Sequence, residues 1–494
     1  MLLGRRNHGF KSWLSLADLV FRKHGIRFPS GLQIVSSGHA TPSATYIETP
    51  LGLDFLQLLQ VTTTNRTTAS FDLRIRYSRE EGFRLAGEAI GAATDSERRI
   101  PPHGRPMPAP EPTKFQDPFA ITDEMSLQLL SCPEGWTTLA EARFPDDENW
   151  YPVAATDGER LLCGAPLFAL CIRRHWMPPM RHGYYALRRK PVPHTVELWL
   201  VSLIGSLAEA RSLPVARLET WPSGFTSALT IRHDHDRPME DEAIDQLLDF
   251  YDSCGLKASW GFRTSLLPTS QIAKAAAAGH EITLHAETAD SRGLQREIDA
   301  ITRVTGIRPR GVTSHGGRGA VGHLGQTYFE AAEAAGMEHA DILSRNNMYP
   351  HPAVIARRRC VESAGIMLTA LHNSLDTGTA PDAHALHILQ ERVPVRLQEG
   401  QHVTIMNHPD VHLDQLRKLL MTLDMTRVWK VTHATAVDWF RTVHYGADVM
   451  WSGGEIGLRF PRPVPMNVGL HVGGKAYVIP AGWSGGCLSD LSKK

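Results

Sequence analysis

The most constraining feature of the sequence is a regular alternation of strand and helix patterns that begins near residue 226. The apolar run at 226–232 predicts a strand, and the pattern at 239–254 predicts an amphipathic helix that ends at Gly255. The next two predicted helices end at Gly279 and Gly306 in the same way. Strands that alternate with helices of roughly 10–15 residues predict βαβ units and a parallel sheet. About six or seven such units in succession favour a closed or nearly closed β/α barrel over an open sheet.

The rest of the chain divides around this region. With 494 residues, the chain is long enough for two or three domains. We predict a mixed α/β region of unknown role at 1–220, the barrel at 221–445, and a small β-rich tail at 446–494. Within the first region, the proline-dense stretch 99–115 is typical of a linker or a long surface loop. The apolar pattern at 195–211 predicts a buried helix.

Charge and motif content exclude several classes of function. Lys+Arg and Asp+Glu are both 52, so the net charge gives no reason to expect nucleic acid or an anionic membrane as a partner. The sequence has no glycine-rich phosphate loop between a strand and a helix, and no serine or cysteine nucleophile elbow. Nucleotide hydrolysis and serine-hydrolase chemistry are therefore disfavoured. The oligomeric state is left open.

The N-terminus and the cysteines bear on the compartment. The apolar run "WLSLADLVF" is interrupted by Asp18, whereas a secretory signal needs an unbroken apolar core. No stretch approaches the ~20 apolar residues needed for a membrane span. The 6 cysteines form no CxxC pair, which argues against a thiolate metal site and a disulfide framework. We therefore expect a cytoplasmic protein without a membrane span.

Polar residues stand where the predicted barrel strands end. In "ALTIRHDHDRP", residues 228–238, an apolar strand ends in Asp234 and Asp236. Later strands end in the same way, at His285 and Glu287, His315, His372 and His408. In β/α barrels the carboxyl ends of the strands and the loops that follow them build the active site. We therefore expect these side chains to converge at one mouth, with Asp236 within about 8 Å of His285 so that both can bind one ion.

The spacing of these residues suggests a chemistry. Side chains alternate along a strand, so Asp234 and Asp236 share a face, where two carboxylates repel unless a cation or a shared proton lies between them. One carboxylate and imidazoles around a divalent ion, with a position open for water, form the usual hydrolytic site. The second carboxylate is then a general base, and His408 can protonate the leaving group. Alternatively, "HDHD" is a polar loop before a helix N-cap, and Arg232 forms either an ion pair that lowers a carboxylate pKa or a purely structural one.

At these residues the sequence resembles a known family. The span from about 226 to 440, a little under half of the chain, is similar to the NodB-type polysaccharide deacetylase domain, carbohydrate esterase family 4. The family has a distorted β/α barrel, and its first motif is a strand with Thr, an aromatic residue, Asp and Asp. Here Thr230 to Asp236 stand in that place, as in a divergent branch with Arg-His-Asp-x-Asp. The resemblance implies that Asp234 is the base and Asp236 a metal ligand.

The later motifs of the family are altered in this chain. In "GHEITLHAETAD", residues 279–290, His285 falls on the first metal histidine, but Ala289 stands where the family has the second. Glu287 or His315 would have to supply the missing ligand, or the metal is bound weakly. The third motif is replaced by "GVTSHGG" at 311–317. The last motif, "VTIMNHP", gives His408 as the candidate acid.

Together these patterns predict an α/β chain with a NodB-like distorted β/α barrel, preceded by a mixed α/β domain and followed by a small β extension. The expected function is metal-dependent removal of acetyl groups from an N-acetylated sugar or polysaccharide. Two alternatives stay open: a non-catalytic carbohydrate-binding barrel, and hydrolysis of another amide C–N bond by the same metal. The expected metal is zinc, and the substrate is a carbohydrate. The predicted catalytic residues are Asp234, Glu287 and His408, and the predicted metal ligands are Asp236, His285 and His315.

Overall fold

A computed structural model provides the coordinates. It describes residues 22–23, 25–27, 33–37, 44–48, 62–68, 71–75, 119–121, 125–131, 134–156, 161–163, 216–315, 326–341, 349–357, 360–369, 372–375, 383–452, 455–472 and 475–493. The linker predicted at 99–115 and the helix predicted at 195–211 lie outside these ranges.

The N-terminal part contributes antiparallel strands. Their bounds are β1 (Ile26–Arg27), β2 (Gln33–Ser37), β3 (Ala44–Glu48), β4 (Thr62–Thr68), β5 (Phe71–Ile75), β6 (Phe119–Ile121), β7 (Met125–Ser131), β8 (Thr137–Arg143), β9 (Tyr151–Thr156) and β10 (Leu161–Cys163). Seven of them form one sheet in the order β2-β3-β10-β9-β8-β5-β6, and β4 pairs with β7. Within the described residues, this part is therefore β-rich, and its predicted helical component lies outside them.

The region from 216 onward forms the main sheet, apart from its first strand, and the helices that cover that sheet. The strands are β11 (Ala216–Leu218), β12 (Ser227–His235), β13 (Ala258–Phe262), β14 (Glu281–Ala286), β15 (Gly311–Ser314), β16 (His339–Ala340), β17 (His351–Arg357), β18 (Cys360–Leu368), β19 (His372–Ser374), β20 (His402–Asn407) and β21 (Val428–Lys430). The helices are α1 (Asp241–Ser253), α2 (Thr269–Ala277), α3 (Ser291–Thr305), α4 (Gln326–Ala334), α5 (Ala383–Gln398), α6 (Pro409–Leu420) and α7 (His433–Trp439), which continues as a π-helical turn, Phe440–Tyr445.

The main sheet is parallel and curled. Its order is β17-β18-β16-β15-β14-β13-β12-β20-β19, with β21 also pairing with β12, and among the described strands of this sheet only the β17–β18 pair is antiparallel. In the parts of the chain that the structure describes, β17 and β19 are the two ends of this order. The sheet is therefore a curled half-barrel within a mixed α/β fold, where the sequence predicted a closed or nearly closed barrel. The hairpin of β17 and β18, which the sequence analysis did not predict, occupies one edge.

The two faces of this sheet differ in polarity. Leu229 and Ile231 of β12 join one apolar cluster with the helices, and α1 adds Ile244 and Leu247 to it. The alternate residues of the same strand, beginning with Thr230, point to the concave side. That side is lined with hydrogen-bonding groups, although parallel barrels usually fill their interior with branched apolar side chains.

Glu281 shows how these interior groups are satisfied. Its Oε1 lies 2.7 Å from His339 Nε2, and its Oε2 accepts hydrogen bonds from Ser259 Oγ at 2.7 Å and from the main-chain N–H of Ala434 at 3.0 Å. Burial alone would raise the pKa of Glu281, but His339 and the other partners lower it to about 2. The carboxylate is therefore ionised and fully bonded at the amino-terminal end of the strands.

At this same end of the sheet, cationic side chains donate hydrogen bonds to the main-chain carbonyls that follow three helices. Lys430 Nζ donates to Cys254 O after α1 at 2.6 Å, and Lys257 Nζ donates to Ala278 O after α2 at 2.8 Å. Arg308 Nη2 donates to Ala335 O after α4 at 2.9 Å. Side-chain donors satisfy the last carbonyls of a helix and interact favourably with the negative end of its dipole.

The C-terminal segment adds two small sheets. Its strands are β22 (Asp448–Ser452), β23 (Glu455–Arg459), β24 (Val468–Val472), β25 (Lys475–Ile479), β26 (Gly485–Cys487) and β27 (Ser492–Lys493). One sheet has the order β1-β11-β24-β25-β27, so the tail pairs with strands from before the half-barrel. Trp221, Trp439 and Leu470 belong to one apolar core beneath it. The domain boundaries at 220 and 445 stay predictions, and side chains from both sides of each share this core. Among the described residues, no helix combines the length and the apolar content needed to cross a bilayer.

We predict that Glu281→Gln lowers the free energy of unfolding by about 2–3 kcal/mol at pH 7, because an ionised, fully bonded acceptor is replaced. The folded-state pKa is depressed, so the contribution of Glu281 is present above its ordinary pKa of 4.5 and is lost as the pH falls towards 2. Urea unfolding at several pH values should show the deficit shrinking from pH 5 to about pH 3. Glu391→Gln, at an exposed position of α5, is the control. A deficit independent of pH would contradict this account.

Candidate metal centre

Four side chains converge at the carboxyl ends of neighbouring parallel strands. Asp236 directly follows β12, His285 lies near the end of β14, His315 directly follows β15, and His408 directly follows β20. These strands lie side by side, with β13 between β12 and β14. Because parallel strands end at the same edge of a sheet, residues from 236 to 408 meet at one place.

The meeting point is the carboxylate of Asp236. Its Oδ1 lies 3.2 Å from His285 Nε2, and its Oδ2 lies 3.6 Å from His315 Nε2 and 3.4 Å from His408 Nε2. The ligand atoms of Asp236, His285 and His315 all lie within 4.8 Å of one another. Asp236 and His285 thus lie well within the distance of about 8 Å that we expected. His408 contacts the same carboxylate but is not one of this three-residue group.

One carboxylate and two imidazoles are a donor set that suits zinc and related divalent ions. Oδ1 of Asp236 is buried and accepts no aligned hydrogen bond from the residues that the structure describes, so it is an acceptor that a cation would satisfy. Burial raises the pKa of Asp236, but the imidazoles of His285 and His408 lower it further, to well below its ordinary range. Burial lowers the pKa of His315, against the opposing effect of Asp236, which favours the neutral imidazole that a metal requires. The residues therefore fit a bound divalent ion.

Thr313 orients one of these imidazoles. It stands opposite His285 in the register of β14 and β15, and its Oγ1 lies 2.6 Å from His285 Nδ1. Both side chains are buried. Because Nδ1 is engaged by Thr313, Nε2 is the nitrogen that faces Asp236, and such partners of a ligand ring fix its orientation and tautomer.

Asp234 lies on the same face as Asp236 and is held by an arginine. Arg232 Nε donates to Oδ1 of Asp234 at 2.9 Å, and Arg232 Nη2 donates to its Oδ2. Arg232 Nη1 also donates to Oδ2 of Asp341 at 2.6 Å, so one buried guanidinium joins two buried carboxylates. Burial raises the pKa of Asp234, but the charge of Arg232 lowers it more. Asp234 Oδ1 is 3.8 Å from His285 Nδ1, directly beside the candidate metal centre.

The structure does not bring Glu287 into the three-residue group. Its Oε1 accepts from Arg263 Nη2 at 2.7 Å and from Ser265 Oγ at 2.8 Å, and its Oε2 accepts from Thr264 Oγ1 at 3.2 Å. Arg263 also donates to the main-chain oxygen of Asp236 at 3.4 Å. Glu287 therefore anchors the loop after β13, and through Arg263 it braces the backbone at Asp236.

Sequence reasoning missed Thr313 and Asp341. Asp341 follows the short strand β16, so the rule that found the other residues at strand ends could have found it. Thr313 gives no signal by itself, because its role comes from the register between β14 and β15. The side chain of His372, at the start of β19, is outside the described residues.

Comparisons with known proteins give structural likeness only. No protein-family model matches the sequence, and no curated protein matches it. Among solved structures, a candidate polysaccharide deacetylase from Mycobacterium smegmatis is 17% identical over 45% of this chain and 92% of its own, with a TM-score of 0.37.

A chitin deacetylase from Colletotrichum lindemuthianum is 14% identical over 44% of this chain and 88% of its own, with a TM-score of 0.30. A family 4 carbohydrate esterase pseudoenzyme from Bacillus anthracis is 12% identical over 44% of this chain and 67% of its own, with a TM-score of 0.29. TM-scores this low do not establish a shared activity.

We predict that Thr313→Val weakens zinc binding about 10–100-fold, because it removes the group that orients His285. The affinity is measured on the full chain by competition with a chromophoric chelator. Thr283→Val is the matched control, since the Thr283 hydroxyl is buried two residues before His285 on β14 and has no hydrogen-bond partner within the described part of the chain. Equal zinc affinity in the Thr313 and Thr283 variants would show that the hydroxyl does not position the ring.

We also predict that Arg232→Met lowers the free energy of unfolding by about 3–5 kcal/mol at pH 7, because it leaves Asp234 and Asp341 buried without their cation. Urea denaturation measures the change, and Arg303→Met, at an exposed position of α3, is the control. The deficit should shrink at acidic pH, where the two carboxyl groups protonate. A loss below about 1 kcal/mol would mean that Arg232, Asp234 and Asp341 are solvated and contribute as little as a surface ion pair.

Proposed function

We propose that this chain is a metal-dependent hydrolase that removes acetyl groups from an N-acetylated sugar or polysaccharide. The observation that carries the proposal is the convergence of Asp236, His285 and His315 from three separate strands, with His408 against the same carboxylate. The order of motifs that resembles the NodB-type deacetylases adds support from the sequence.

Asp236, His285 and His315 would hold the ion, and His315 would replace the second histidine that the family places at position 289. A bound zinc-type ion would acidify a water molecule and polarise the amide carbonyl. Thr313 keeps the His285 ring in the orientation that presents Nε2, and Arg263 keeps the backbone at Asp236 in place.

Asp234 and His408 would move the protons. Asp234 is ionised, so it can accept a proton from the attacking water, and Arg232 fixes its orientation. His408 is 17% exposed, so its imidazole can reach a substrate that enters at the carboxyl ends of the strands. In the overall reaction the water oxygen joins the acetyl carbon, the C–N bond breaks, and His408 delivers a proton to the departing amine.

The alternatives make different use of the same residues. A non-catalytic carbohydrate-binding barrel is favoured by Ala289, which removes the usual second ligand, and by the engagement of both Asp234 oxygens with Arg232. Hydrolysis of another amide C–N bond would keep the metal and change only the substrate.

The test uses the purified full chain, with zinc content measured by plasma mass spectrometry and acetate release measured on N-acetylglucosamine oligomers. We expect one zinc per chain, with loss of zinc and activity in Asp236→Asn. His408→Ala should retain zinc and lose about 10²–10⁴-fold in kcat, because only proton transfer is removed. His387→Ala, at an exposed histidine of α5, is the control.

Each other outcome overturns part of the proposal. Absence of bound zinc together with absence of acetate release would favour the binding barrel. Bound zinc with hydrolysis of other amides and none of N-acetyl sugars would favour the third alternative. Loss of zinc in His408→Ala would move His408 from proton donor to metal ligand.

A further inference from the structure

A cavity of about 570 Å³ lies at the amino-terminal end of the strands. It is bounded by the starts of β13, β14 and β15 and by the segment 429–435. The metal centre is at the other end of the same strands. Glu281 at the cavity and His285 at the metal centre are four residues apart on β14, or about 13 Å at roughly 3.3 Å per residue. The two places are therefore separate, and the proposed function uses only one of them.

Among the described residues, four cationic side chains line this cavity: Lys257, Arg308, Arg310 and Lys430. In the same set one carboxylate lines it, that of Glu281, and it is already bonded to His339. Arg310 is paired with Glu338 and Asp438. The lining side chains thus carry an excess of positive charge.

The remaining three cations are bonded to groups without net charge. Lys257, Arg308 and Lys430 each donate to a main-chain carbonyl at the end of a helix. A helix end offers only about half of an elementary negative charge, so these bonds offset the cations in part. Asp252 lies 3.9 Å from Lys257 but is 87% exposed, where solvent screens the pair.

These cations also have donors to spare. An ammonium group has three N–H donors and a guanidinium has five, and each of the bonds above uses one. Lysine and arginine donors of this kind bind phosphate oxygens through charge-assisted hydrogen bonds.

Apolar side chains also line the cavity. Ile282, Ile307, Trp429, Val431 and Met466 contribute to it. Ligand pockets typically occupy about 300–1,000 Å³ and combine apolar walls with a few placed polar groups. A lining that combines cations with aromatic and aliphatic side chains suits a small molecule that has a phosphate and a ring or other apolar part.

We propose that this cavity is a second ligand site, which binds a small organic phosphate. The phosphate lies among Lys257, Arg308 and Lys430, and the organic part packs against Trp429. The site is independent of the metal centre and does not require the proposed hydrolase activity.

Isothermal titration of the full chain with phenyl phosphate, at constant ionic strength set with sodium chloride, tests the proposal. We expect saturable 1:1 binding that is tighter than that of inorganic phosphate. The double variant Lys257→Gln with Lys430→Gln should weaken it at least 10-fold, whereas Lys257→Arg with Lys430→Arg should retain it. Lys274→Gln with Lys418→Gln, on the outer helices, is the matched control and should bind like the parent chain.

Three results would overturn the site. The first is the absence of saturable heat up to about 10 mM phenyl phosphate, a Kd too weak for a built pocket. The second is an equal loss in the double variant and its control, and the third is unchanged affinity in the double variant. If the double glutamine variant does not fold, as judged by its circular dichroism, the single variant Arg308→Gln replaces it with the same expected direction. Asp236→Asn should leave phenyl phosphate binding unchanged, so a failure of the hydrolase proposal is distinguishable from a failure of this one.

Discussion

The buried ion cluster of Arg232 with Asp234 and Asp341 is the constraint on which the concave side of the half-barrel depends. Charges removed from water must be paired and hydrogen-bonded, or the penalty for desolvation exceeds the attraction between them. Here one guanidinium reaches two carboxylates, one on β12 and one directly after β16. The cluster therefore fixes β12 relative to the far side of the sheet, and it positions Asp234 beside His285.

This cluster also leaves negative charge at the carboxyl end of the strands, where a cation would be stabilised. Two carboxylates share one guanidinium, so the cluster retains one negative charge, and Asp236 adds a second beside it. Protonated imidazoles or a divalent ion would balance these two charges. Burial disfavours protonation of His315, so a divalent ion would suit this place: it would neutralise the carboxylates and bind neutral imidazoles.

The sequence predicts much of this arrangement and misses the parts that depend on neighbouring strands. The helical period of apolar residues together with Gly306 predicted the end of α3 correctly. Gly306 has a φ of +70°, the left-handed conformation that ends a helix. The rule that barrel strands end in functional residues gathered Asp236, His285 and His315. This rule could not show that Glu287 is bonded to Arg263 in the loop after β13, because that contact joins the ends of two strands. The β17–β18 hairpin was missed for a similar reason, since its pairing is antiparallel within a parallel rhythm.

The two proposed sites follow from a single directional property of the fold. Each helix that connects parallel strands runs back along them, so helix amino termini lie at the carboxyl ends of the strands and helix carboxyl termini lie at the opposite end. The negative ends of the dipoles attract cations, which accounts for Lys257 and Lys430 at the amino-terminal end of the strands. At the other end of the strands, the positive helix amino termini favour a carboxylate such as that of Asp236. The connectivity of the chain sets this polarity. A substitution within one site therefore changes which ligand that site prefers, but the helix dipoles still favour cations at the amino-terminal end of the strands and anions at the carboxyl end.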